Sequence, residues 1–98
     1  MFAYNKRSMS TMALNFPYPS RSYDDAGHFV RFWGYDRALE ISFFLEEGAL
    51  SKVHPDTTAN EAGFLNAFDA HRDRICEVAS KIYSRRRKAS YTLTSADF

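Results

Sequence analysis

Ninety-eight residues carrying a net charge of +1 describe one domain, since a chain of that length fills a single hydrophobic core. Apolar residues at 45% and charged residues at 26% exclude wholesale disorder, and no run approaches the roughly eighteen apolar residues of a membrane-crossing helix. One cysteine, Cys76, excludes both an intramolecular disulfide and a CxxC metal site.

Residues 1–11 are polar and unpatterned and read as a flexible extension ahead of a single domain over 12–98. Met9 and Met12 are alternative starts to Met1, because regular patterning begins only near Met12. Met12, Leu14 and Phe16 alternate with Ala13 and Asn15, which predicts a short strand ended by Pro17 and Pro19. Ser20 to Gly27 reads as a polar loop. His28 to Leu45 (HFVRFWGYDRALEISFFL) reads as a hairpin turning at Gly34–Arg37. An even loop, of two or four residues, places Val30, Phe32, Ile41 and Phe43 on one face, whereas an odd loop would mix them with Glu40 and Ser42. Burial at roughly 1.5–3 kcal/mol per large side chain selects the even register. Asp-Arg is a weak two-residue turn, so a four-residue loop is expected, with Arg31 opposite Glu40 as a cross-strand ion pair. The second face then holds Phe29, Arg31, Trp33, Tyr35, Ala38, Glu40, Ser42 and Phe44.

Glu46 to Val53 predicts a short helix, broken by His54-Pro55-Asp56. Thr58 and Glu61 have capping-box spacing, and a long helix is expected from there to about Arg86. Its stripe runs Phe64, Leu65, Phe68, Ile75, Val78, Ala79, Ile82, Tyr83, with Arg72 interrupting and its guanidinium expected in water. Arg85, Arg86, Arg87 and Lys88 close the helix at its negative end. Ser90 to Thr94 is a last strand. The expected fold is α+β: a small antiparallel sheet in the order β-β-β-α-α-β, with the long helix packed on one face.

The even charge balance conceals a segregation. Residues 1–21 carry +3, residues 22–70 carry −6, residues 71–90 carry +5 and Asp97 adds −1. Such a chain is no general polyanion binder, although its basic end is a candidate. Without an apolar run of signal-peptide length, and with a lone thiol, the cytoplasm is the expected compartment.

The blocks SRSYD, VRFWGYD, FLNAFDAHRDRI and SYTLTSADF, in that order across Met12 to Phe98, resemble a family of small bacterial proteins of unknown function, the domain-of-unknown-function family fourteen eighty-eight. The resemblance implies a compact α+β module of the bacterial cytoplasm and supplies no activity, cofactor or partner. The eleven residues before Met12 extend beyond the family's usual start.

No catalytic motif emerges. His28, His54 and His71 lack ligand spacing, so no metal and no cofactor is expected. Asp24 and Asp25 beside Tyr23 read as turn residues rather than an acid–base pair. Cys76 beside the helical stripe reads as a small hydrophobe, although Arg72 and Arg74 would favour its thiolate. The chain therefore reads as a non-enzymatic module acting through protein contacts, self-association into a homodimer included, with no membrane partner. The expected contact residues are Arg31, Trp33, Tyr35 and Glu40, because arginine and aromatic side chains carry interface energy disproportionately. The alternative is a weak single-stranded nucleic-acid binder that adds the basic helix end, Arg85, Arg86 and Arg87. An enzyme without a recognisable motif is the third reading.

Overall fold

The computed structural model describes residues 14–98, so the expected extension over 1–11 and the alternative starts lie outside the described residues. Four strands, β1 (Arg21–Asp24), β2 (Phe29–Asp36), β3 (Leu39–Glu46) and β4 (Ser90–Leu93), form one sheet in the order β1-β2-β3-β4. Three helices, α1 (Glu47–Val53), α2 (Glu61–Ala70) and α3 (Arg72–Arg85), connect β3 to β4, and a 3-10 turn at Ser95–Asp97 follows. The α+β class stands, but the sheet is mixed. β1, β2 and β3 pair antiparallel while β3 and β4 run parallel. A connection made of three helices is long enough for the crossover that parallel neighbours need.

The expected strand over Met12–Phe16 is, where described, a single antiparallel bridge. Asn15 N–H donates to Tyr35 O at 2.9 Å and Tyr35 N–H donates to Asn15 O at 2.8 Å. Pro17 and Pro19 interrupt that edge of the sheet, and β1 resumes pairing with β2 beyond them. The segment read as loop therefore contains a strand. Its only large apolar ring, Tyr23, stacks on Phe64 at 5.7 Å while Arg21 forms a paired contact with Asp69 on α2. One aromatic among polar neighbours gives no alternation to recognise.

Parity in the central hairpin follows the hydrophobic pattern. Phe32 pairs with Phe43, Val30 with Leu45 and Gly34 with Ile41, and all six are buried. The loop, however, is two residues long, Arg37 and Ala38, in a register the loop-length argument did not select. Arg31 consequently lies opposite Phe44 rather than Glu40, and the expected ion pair does not form. Gly34 is no turn residue either. It sits inside β2, where an added Cβ would lie 2.9 Å from Phe16 Cε1 and 3.0 Å from Leu14 Cδ1. A missing side chain there lets the chain's own Leu14–Phe16 segment cover the sheet.

The long helix is two helices. Its N-cap is Asn60, whose Oδ1 accepts from Gly63 N–H at 2.7 Å, so Thr58 is not the cap. An Asn side chain satisfies a free amide as well as a Thr hydroxyl does. At the far end His71 closes α2 and opens α3 with φ −117° and ψ 21°. Its ring shares a hydrogen bond with His54 (His54 Nδ1 to His71 Nε2, 3.0 Å), while the next residue, Arg72, donates to Tyr18 O at 2.7 Å and Phe16 O at 3.3 Å. Arg72 thus ties down the N-terminal segment instead of reaching for water. α3 ends at Arg85, so Arg86, Arg87 and Lys88 lie past its last turn.

All the helices' buried side chains join the inner face of the sheet. Phe32, Phe43 and Tyr91 stack across β2, β3 and β4, with centroids 5.2 and 5.4 Å apart, and Phe68 of α2 meets Phe32 at 5.1 Å. This inner core leaves the other face of the sheet to its own side chains.

Candidate functional site

Alternation along β2 and β3 turns Phe29, Arg31, Trp33, Tyr35, Glu40, Ser42 and Phe44 to that outer face. Across the sheet Arg31 of β2, Phe44 of β3 and Thr92 of β4 stand in one row. The Arg31 guanidinium lies 4.9 Å from the Trp33 ring and 5.5 Å from the Phe44 ring, within cation–π reach of both. Its Nη2 donates to Ser42 Oγ at 3.0 Å, and its Nε is buried without a hydrogen-bond partner among the described residues. Phe29 meets Phe44 edge-on at 4.9 Å. Whereas the inner-face residues of these strands are buried, Arg31, Trp33, Tyr35 and Phe44 are half-buried.

Toward the hairpin end Tyr35 Oη donates to Glu40 Oε2 at 3.2 Å, and its ring meets Tyr18 edge-on at 5.9 Å. Burial, then the Glu40 charge, raises the Tyr35 pKa above its ordinary value. Trp33, Tyr35, Tyr18 and Ser20 surround a small recess. The structure thus brings Arg31 to Trp33 and Tyr35 to Glu40, as two neighbouring groups on one face.

The basic residues divide. Arg87 turns to Asp36, 3.8 Å away, and over the Tyr83 ring at 5.5 Å. Arg85, Arg86 and Lys88 make no ion pair among the described residues. Together with Phe44, Ile82, Ser90, Tyr91, Thr92 and Asp97 they line an open groove of about 650 Å³ along β4. Phe44 is shared by the outer face and the groove. It lay on the expected face, but its link to the basic residues depends on β4 pairing in parallel with β3, which no local pattern announces.

Other polar groups singled out in the sequence sit in local contacts. Asp24 Oδ1 accepts from Gly27 N–H at 2.9 Å, which closes the β1–β2 loop. Tyr23 Oη donates to Glu47 Oε2 at 2.7 Å, and that bond raises its pKa. The Cys76 thiol is pushed up to about 11 by burial, which outweighs the Arg72 charge. Among the described residues no three His, Cys, Asp or Glu side chains converge to hold a metal, and no helix is long and apolar enough to cross a membrane.

Residues 14–94 match the family described as "Protein of unknown function (DUF1488)". The chain belongs to the DUF1488 family. The match takes in every strand and helix of the DUF1488 fold together with the outer face and most of the groove. No curated protein and no solved structure matches it.

Proposed function

We propose that this DUF1488 chain is a protein-contact module that works through the outer face of its sheet, with Arg31, Trp33, Tyr35 and Glu40 as contact residues. The observation that carries the reading is the half-buried Arg31 guanidinium within cation–π reach of both Trp33 and Phe44. A partner docked there covers two half-buried aromatic rings and meets the exposed part of the guanidinium in the same step. Arginine and tryptophan are also the residues on which interface energy concentrates.

Trp33 is the chain's one tryptophan, so its fluorescence reports on this face alone. Sedimentation equilibrium and Trp33 emission are to be followed together as concentration rises, and again as a partner recovered by affinity capture is titrated. The expected result is a blue shift that accompanies complex formation, with Trp33→Ala weakening the complex by about 2 kcal/mol or more. A strict monomer at high concentration, combined with capture unaffected by Trp33→Ala, contradicts the proposal.

A second reading, single-stranded nucleic acid, draws on Phe44 joining the aromatic face to the groove of Arg85, Arg86 and Lys88. It requires oligonucleotides to quench Trp33 at low salt and to release as salt rises. Unquenched emission at low salt removes it.

A further inference from the structure

Among the described residues β4 is the last strand of the sheet, with β3 as its one neighbour. Ser42 N–H donates to Ala89 O at 3.0 Å, which fixes the alternation: odd-numbered residues of this strand turn their main chain toward β3. Ser90 and Thr92 therefore direct their N–H and C=O groups away from the sheet, and their side chains are exposed. The groove that runs beside them is walled by Ile82 and by Arg85, Arg86 and Lys88, none of which is ion-paired among the described residues. Its one carboxylate, Asp97, is already engaged, accepting from Thr94 N–H at 2.8 Å.

We infer that this edge is a docking site for an extended acidic peptide segment of another protein, added to the sheet as a further strand beside β4. The main-chain groups of Ser90 and Thr92, unpaired among the described residues, match the alternating donors and acceptors of a peptide strand. Arg85, Arg86 and Lys88 select acidic side chains on that strand, and Phe44 and Ile82 offer it apolar contact. Nucleic acid could satisfy the cations but has no peptide-like edge to complement the strand. A second copy joined β4 to β4 would set both basic clusters against each other. The opposite edge of the sheet is a poor donor strand, because Pro17 and Pro19 interrupt it ahead of β1. The site shares Phe44 with the outer face but includes none of Arg31, Trp33 and Tyr35, so the Arg85→Glu/Arg86→Glu and Trp33→Ala variants test the two surfaces separately.

Fluorescence anisotropy of three labelled probes tests the inference on the full chain: an eight-residue peptide alternating Glu with Val, the same peptide N-methylated at every second residue, and oligothymidylate of equal charge. The acidic peptide is expected to bind and to weaken by about tenfold or more in Arg85→Glu/Arg86→Glu, in Thr92→Pro and on N-methylation. The Thr92 N–H faces away from β3, so proline there spares the ladder; should that variant fail to fold, the N-methylated probe carries the same test on the unaltered protein. Equal binding of both peptides, tighter binding of oligothymidylate, no binding of any probe, or self-association lost in the double arginine variant would each overturn the inference.

Discussion

A methyl group at position 34 has nowhere to go, with Phe16 Cε1 at 2.9 Å and Leu14 Cδ1 at 3.0 Å. Gly34→Ala is therefore expected to push the Leu14–Phe16 segment off the sheet and to cost about 1–3 kcal/mol, as overpacking does. Urea unfolding would show the lower midpoint, and hydrogen exchange would show Asn15 losing protection while Phe32 and Phe43 keep theirs; an unchanged midpoint would refute the packing argument. Cys76 behaves oppositely, as a group that burial silences. With its thiol at about 11 against an ordinary 9.0, the thiolate fraction at pH 8 falls on the order of a hundredfold. Its reaction with a disulfide reagent should be slower by about that factor in the native chain than in urea, and equal rates would restore it as a redox candidate. The two residues differ in how far their sequence betrays them. Cys76 lies beside an apolar stripe that already makes it a small hydrophobe, whereas Gly34 resembles a turn residue until the Leu14 and Phe16 side chains are seen packed against it.

At the level of elements, the faces of the hairpin were legible and its turn was not. Val30, Phe32, Ile41 and Phe43 share a face in every even register, so burial determines parity without determining which even loop is used. The loop actually formed places Arg37 at φ 60°, a left-handed conformation that costs a non-glycine residue about 1–2 kcal/mol. No turn propensity would have chosen it. Pairing of Phe32 with Phe43 and Val30 with Leu45 outweighs the strain. Arg37→Gly is expected to relieve it and, after the roughly 0.5–1 kcal/mol entropic cost of glycine, to raise stability by up to about 1 kcal/mol. A thermal midpoint that falls in this variant would mean that the arginine side chain stabilises the turn in another way. The break at His71 escaped the same kind of reading for a different reason. The stripe from Phe68 to Ile75 stays in helical phase across it, so the joint is marked by tertiary bonds, from His71 to His54 and from Arg72 to Phe16 and Tyr18. His71→Ala should remove that bond and destabilise by about 1 kcal/mol, while the helical circular dichroism at low temperature is retained.

Among the described residues, three tyrosine hydroxyls tie elements together by donating to carboxylates, two of them across distant parts of the chain. Tyr23 joins β1 to Glu47 of α1, Tyr35 joins β2 to Glu40 of β3, and Tyr83 joins α3 to Asp36 at the hairpin end, 2.6 Å away. Each hydroxyl donates, and a phenolate cannot. Hydrogen bonding to Asp36 raises the Tyr83 pKa above its ordinary 10.0, Tyr23 and Tyr35 are raised as well, and burial raises Cys76. All four shifts have the same sign. Above pH 9 the unfolded chain begins to release protons that the native chain retains, so unfolding becomes coupled to proton loss and stability falls as pH rises. The stabilisation is complete below the unfolded values and is withdrawn from about pH 9 upward, first by Cys76 and then by the tyrosines. Urea midpoints measured from pH 7 to 11 should accordingly decline from about pH 9. Tyr83→Phe should start about 1 kcal/mol lower at pH 7, because Asp36 loses its closest donor, and then decline less steeply than the wild type. If the two curves run parallel, the Tyr83–Asp36 bond is not what couples α3 to the hairpin, and the alkaline loss belongs to the other three groups.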